Sequence, residues 1–246
     1  MHKLITELRR LYLPDGSADE DLLARRMSGE DASAVKLVGA QGQSRALVIA
    51  FHKFEDGRDA THWERLCVVA NALQADLGLP APAVSMGGDQ GFFLWLSLEQ
   101  PVAPGAAQQF LELLGAAYGV EVASAAGSAA LALPPCRHPD TGRWAAFIHP
   151  GLGASFVDES GLEMPPPLAG QAALLEHLQS ISEQKFLQAM DLLTQARAGD
   201  QTGPARCAAP VPEGLLLKDA TLEDIVNHLH ALNIEPTFRH LIGKSQ

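Results

Sequence analysis

The stretch Ser85–Leu98 reads SMGGDQGFFLWLSL, and its reading decides the fold. A glycine-rich turn, Gly87–Gly91, separates a short apolar segment from the nearly continuous apolar run Phe92–Leu98. A run of that length beside a turn suits a strand buried on both faces, or one buried on a single face with an unusually apolar exposed side. Upstream, RALVIAF (Arg45–Phe51) predicts a second strand. Between them, Trp63, Leu66, Cys67, Val69, Ala70, Leu73 and Leu77 recur at helical spacing, and Gly78 with Pro80 stops that helix. Downstream, Pro104 suits a first helical position. Phe110, Leu113, Leu114 and Ala117 give the helix its apolar face, and Gly119 ends it before a closing strand over residues 119–122. Strand–helix–strand–strand–helix–strand over 45–123 is the split βαβ layout. The expected class is therefore α+β: a ferredoxin- or RRM-like βαββαβ core with helices on one face of the sheet, plus extra β-hairpins and C-terminal helices.

Outward from that core, residues 1–30 predict two helices joined by the turn Leu13–Ser17, with Ser17 and Glu20 forming a capping box. VKLV (35–38) predicts a short strand, and the glycine- and proline-rich region after Val122 predicts strands near 129–133, 144–148 and 154–158. MPPPLAG (164–170) reads as a stiff connector. A long helix is expected over about 171–197, carrying Leu174, Leu175, Leu178, Ile181, Phe186, Leu187, Met190 and Leu193. The domain reading is thus one α+β unit over 1–195 (core about 35–160), a linker at 198–212, and a small helical segment at 213–246 capped by Thr221.

The chain has 246 residues, 47% hydrophobic and 19% charged, enough to bury a core and too few charges for disorder. No apolar run approaches the roughly 18 residues that cross a membrane, and the N-terminus lacks a signal-peptide pattern. The expectation is a soluble, cytoplasmic protein. Three widely spaced cysteines (Cys67, Cys136, Cys207) argue against a disulfide framework, with Cys67 expected in the core. The formal charge is −11, from 18 basic and 29 acidic residues, and the bases are scattered. Nucleic-acid binders cluster Lys and Arg to neutralise phosphates, so this chain alone is expected to bind nucleic acid weakly at most.

Several residues invite chemistry, and each has a plainer reading beside it. Glu55, Asp56 and Asp59 offer carboxylates for a metal, or a solvated loop before a helix N-terminus. His52 offers a base or ligand, or a structural imidazole at a strand end. Cys136, His138 and His149 match no standard zinc spacing, and His228 and His230 do not share a helix face. Ser85, Gly88, Asp89, Gln90 and Gly91 offer a nucleotide-binding turn, but without the Lys and following helix of a P-loop they read more simply as a hairpin. Phe92, Phe93 and Trp95 suggest base stacking; without basic neighbours, core packing is the better reading. By strand alternation Phe93 and Trp95 share one face and Phe92 takes the other.

Taken together, these strings resemble the archaeo-eukaryotic primase superfamily, closest to the primase-like domain of bacterial mobile-element and conflict systems. In that family an Asp-hydrophobic-Asp strand is followed by a helix, then by a turn and strand written SGxGxHxW. Gly88–Trp95 matches the second string in layout, LSLEQPV (96–102) matches the stretch after it, and Leu131–Pro134 and Gly153–Glu159 match later segments. The resemblance covers about residues 35–185. It places the family's two aspartates at Ala50 and His52, its phosphate-contacting His at Phe93, and a further acid at Glu121. Nucleotidyl transfer needs hard oxygen ligands for Mg²⁺. Ala has no ligand atom, imidazole is a poor Mg²⁺ ligand, and Phe donates no hydrogen bond. The resemblance therefore implies a pseudoenzyme without a cofactor: a binding or assembly module in DNA replication or a mobile-element context, with a protein partner docked through 213–246. An active nucleotidyltransferase using Mg²⁺ or Mn²⁺ would need relocated acids such as Glu55, Asp56, Asp89 or Glu121. An acidic protein-interaction module sharing only the layout is the third reading.

Overall fold

The computed structural model describes residues 1–39, 41–52, 61–89, 91–119, 123–124, 132–157, 159 and 161–202. The helices are α1 (His2–Leu11), α2 (Glu20–Ser28), α3 (Thr61–Ala75), α4 (Pro104–Tyr118), α5 (Leu168–Glu176) and α6 (Glu183–Thr202). The strands are β1 (Ser44–His52), β2 (Ala83–Met86), β3 (Gly91–Val102), β4 (Ala123–Ser124), β5 (Cys136–Arg137) and β6 (Trp144–Ile148). They lie in the order β4-β1-β3-β2-β6-β5, every neighbouring pair antiparallel. The class is mixed α and β, with an antiparallel sheet at its centre.

Two apolar layers cover the sheet. Leu47, Ile49 and Phe51 of β1 and Phe92, Leu94, Leu96 and Leu98 of β3 pack with α3, α4 and α6. Ala46, Val48, Ala83, Trp95 and Phe147 face the other way, against Leu4, Leu8, Leu11 and Tyr12 of the N-terminal region, Leu23 and Met27 of α2, and Leu175 of α5. Helices on both faces correct the expectation of helices on one. The physical reason lies in β3, which carries large apolar side chains on alternate positions of both sides, so neither side can face water.

Helix α5 is tied to β6 through one amide. The Gln171 side chain accepts from Phe147 N at 2.8 Å and donates to Phe147 O at 2.9 Å, all within the buried interior. It supplies β6 with the pairing that the two-residue strand β5, matched only to Trp144 and Ala145, does not reach. On the solvent side Arg10 of α1 donates to the carbonyls of Leu175 and Leu178 at the end of α5, at 3.0 and 2.9 Å.

Other expectations need correction. The single helix over 171–197 is two, because Ile181 leaves the helical path to lie beside β3, donating N–H to Ser97 O at 2.7 Å and accepting from Glu99 N at 2.8 Å. The second helix continues to Thr202, into the segment expected as linker. The first residues of the strand expected near 154–158 belong instead to a 3-10 helix, Pro150–Phe156, opened by Pro150 and capped by His149, whose Nδ1 accepts from Gly151 N at 3.1 Å. VKLV contributes isolated bridge positions at Val35 and Val38 rather than a strand, the latter to Ser44. Asp19, not Ser17, precedes the first turn of α2, and Cys67 is half-buried. The chain divides into Met1–Gln201 and Thr202–Gln246; the expected helix in 213–246, Cys207, His228 and His230 lie outside the described residues. Among the described residues, no helix is long and apolar enough to cross a membrane.

Candidate functional site

Strands β1 and β3 run side by side for most of their length, and their register sets the site. Ala50 pairs with Phe93, and His52 pairs with Gly91. Directly paired residues of antiparallel strands share a face, and residues two apart on one strand share it as well. Ala50, His52, Gly91 and Phe93 therefore gather on one face. Phe93 also pairs with Ser85 across β2, and Ala123 of β4 pairs with Ala50. Glu121, Glu55, Asp56 and Asp59 lie outside the described residues.

These residues meet solvent unequally. His52 is exposed and Phe93 half-buried, while Ala50 is 7% exposed and Ser85 fully buried. The His52 and Phe93 rings meet edge to face with centroids 6.0 Å apart. The His52 carbonyl accepts from Arg65 Nη2 at 2.9 Å. Beneath them, the Trp95 indole donates to Ser85 Oγ at 2.8 Å. The hydroxyl offered by sequence for nucleotide contact is thus engaged inside the protein.

The turn between β2 and β3 is a hairpin closed by Gly87 N donating to Gly91 O at 2.9 Å. Gly88 has φ +78°, a left-handed conformation natural to glycine. A methyl group on Gly87 would lie 2.6 Å from Phe93 Cε2 and closer still to Asp89 Oδ1, so glycine there lets both side chains fold over the backbone. Asp89 is half-buried, and its Oδ1 is enclosed without a hydrogen-bond partner. Thr141 Oγ1 donates to Gly88 O and anchors the turn from the other side. Gln90 lies outside the described residues.

The aromatic residues divide as alternation predicts. Phe92 packs under α3, its ring 5.2 Å from His62 and 5.1 Å from Trp63. Trp95 lies on the opposite face, where Tyr12 sits 5.4 Å from it and stacks on Phe147 at 6.2 Å. Tyr12 is 1% exposed, so this part of the face is closed by the protein's own aromatic side chain. Sequence reasoning missed that cover; the signal available was Tyr12 itself, an aromatic at the end of an apolar helical stripe.

As a divalent-cation site the described positions do not fit. Ala50 and Phe93 have no ligating atom, and His52 offers an imidazole where Mg²⁺ prefers oxygens. Among the described residues, no three His, Cys, Asp or Glu side chains are grouped to hold a metal ion; Cys136, buried under α2, His138 and His149 form no such group.

The chain is similar to two solved domains, one from a primase-polymerase and one from a ligase D. One is the AEP domain of the cyanophage S-2L primase-polymerase, 18% identical with a TM-score of 0.31, over 53% of this chain and 60% of that one. Another is the polymerase domain of ligase D from Mycobacterium tuberculosis, solved in complex with DNA, 17% identical with a TM-score of 0.37, over 70% of this chain and 62% of that one. This chain thus spans about three fifths of each. No protein-family model matches it, and no curated protein does.

Proposed function

We propose that this sheet face is a nucleotidyl-transfer site that has lost its reagents, and that the protein works by recognition. It would serve as a binding or assembly module for a protein partner in a replication or mobile-element setting. The observation that carries the reading is the pairing of Ala50 with Phe93, with His52 one step along the same face. Three positions that the sequence resemblance assigns separately to metal and phosphate contacts fall side by side. Ala50 and His52 share a face on any strand, so it is the register of Phe93 against Ala50 that supports the reading. The strand order β4-β1-β3-β2 supports the split βαβ reading of the core. Ala and Phe at the two central positions withdraw the acceptor oxygens and the hydrogen-bond donor that phosphoryl transfer requires.

Calorimetry with a nucleoside triphosphate and Mn²⁺ tests this. The emptied site gives no metal-dependent heat. Metal-dependent binding that disappears in Glu121→Ala would establish the enzyme reading with a relocated acid and overturn the proposal.

A further inference from the structure

We infer that the connector Met164–Pro167 is a docking ridge for a protein partner, received by a groove that is lined with aromatic side chains and rimmed by basic ones. No residue of the emptied face takes part, so the ridge is independent of that reading.

Ring closure fixes φ of Pro165, Pro166 and Pro167 at about −65°. A following proline drives ψ of Met164, Pro165 and Pro166 into the extended range. Covalent sterics thus commit this segment to the polyproline II form, and Pro167, with φ −65° and ψ 116°, stays extended before α5 begins. The segment is tied at both ends. Leu162 N donates to Trp144 O at 3.0 Å, Leu162 O accepts from Trp144 N at 2.8 Å, and Pro167 O accepts from Gln171 N at 3.1 Å. A partner therefore meets a ridge that is already ordered and loses little conformational entropy in binding it.

Polyproline II has three residues per turn. Pro166 turns inward and is buried, whereas Met164, Pro165 and Pro167 are exposed. Met164 and Pro167, three apart, share one edge, and Pro165 takes the next. The result is two apolar knobs, Met164–Pro165 and Pro167, on either side of the inward ring. Met164 is 76% exposed, the most of any large hydrophobic residue described. Its thioether is drawn to aromatic ring edges, and proline rings in this form dock into aromatic-lined grooves. Among the described residues no hydrogen bond reaches the carbonyls of Met164 and Pro165, so both are left to accept from an indole N–H of the groove.

Charge selects the rim. Glu163, just before the ridge, has a side chain 85% exposed and shares Arg143 with Glu159, at 4.0 and 3.4 Å. With the formal charge of −11, these two acids favour a basic rim on the partner.

The test titrates the unlabelled full chain into an isotope-labelled WW domain, a module whose groove is built from a Tyr and a Trp. The expected result is saturable movement of the groove indole resonance, half-complete below ~1 mM chain, and reversed by an excess of a proline decapeptide. Pro165→Ala and Pro167→Ala should each weaken binding by ~3- to 10-fold, while Val68→Ala, on α3 across the sheet, should leave it unchanged. An unmoved indole resonance at that concentration, failure of the decapeptide to compete, or undiminished binding by the Pro165→Ala, Pro167→Ala double variant overturns the inference. The decapeptide competition is made on the unaltered protein and depends on no variant folding. Metal-dependent nucleotide binding would defeat the emptied-site reading and leave the ridge untouched.

Discussion

The Trp95 indole nitrogen hydrogen-bonds to Ser85 Oγ at 2.8 Å, joining β3 to β2 beneath the candidate site. Both residues are essentially inaccessible to water. A polar pair so placed is costly to break from one side only, because the survivor keeps its desolvation penalty. Ser85→Ala should therefore destabilise the fold by roughly 1–3 kcal/mol, measured by urea denaturation. Trp95→Phe should also destabilise, through lost volume as well as the lost bond. In a double-mutant cycle the pair should couple by about 1 kcal/mol. Strict additivity would show that the hydrogen bond contributes nothing of its own.

Gln171 offers a sharper case. Its amide satisfies both the N–H and the C=O of Phe147. Gln171→Ala leaves two buried backbone groups unpaired and should cost roughly 2–4 kcal/mol. Gln171→Glu keeps an acceptor for Phe147 N but sets a carboxylate against Phe147 O, and should be no better than Ala at neutral pH. Chemical denaturation of the three proteins decides it; a Glu variant as stable as the parent would contradict the assigned geometry.

Arg26 should behave in the opposite sense. It is 2% exposed, its Nη1 has no hydrogen-bond partner, and its Nη2 reaches Leu133 O at 3.4 Å, with the Cys136 thiol beside the guanidinium. Among the described residues no carboxylate comes close enough to form an ion pair with it, and a buried guanidinium without such a pair stabilises a fold little. Arg26→Met, which keeps the length and removes the charge, should be neutral or stabilising by up to about 2 kcal/mol in thermal or urea unfolding. A loss above that size would mean the guanidinium makes interactions its surroundings do not explain. The same cation lies beside Cys136, whose thiol is nonetheless pushed up by burial, with Arg26 only partly opposing.

Tyr118 provides a pH test. Its hydroxyl donates to Asp76 Oδ2 at 3.0 Å, and its pKa is pushed up to about 12, first by burial and then by that bond and the carboxylate charge. The folded-state value lies above the unfolded value of about 10. The folded state thus holds the proton more tightly, and this contribution is complete below pH 10 and lost as pH rises from 10 towards 12. Tyr118→Phe should flatten the stability profile over that window. Tyr12, raised further still by burial, contributes a loss of the same sign and remains in the variant. An unchanged slope would remove Tyr118 from the account.

Much of this architecture was legible from local signals. Pro104 and Gly119 bound α4 as expected, the Gly87–Gly91 hairpin sits where its glycines placed it, and the sides taken by Phe92 and Trp95 follow from alternation. The break between α5 and α6 was hidden because Leu174, Leu175, Leu178, Ile181 and Phe186 keep apolar spacing across it, while Ile181 pairs with β3 and Ser182 Oγ accepts from Lys185 N at 3.4 Å where α6 begins. The 154–158 string looks strand-like, yet Pro150 and the His149 cap commit its first residues to a 3-10 turn. At the site, Ala50 and Phe93 could be placed opposite each other only once register was known. The Ser85–Trp95 and Gln171–Phe147 bonds cross 10 and 24 residues with no periodic trace.

The amide of Gln171 also bears on how the protein avoids itself. A strand with free backbone groups is a template for another chain, and such edges lead to aggregation unless blocked. By occupying Phe147 N and O, a single side chain ends sheet growth at the point where β5 stops short. Strand addition at that point of β6 would have to displace a buried amide first. The amide thereby keeps this part of β6 from pairing with a second copy of the chain.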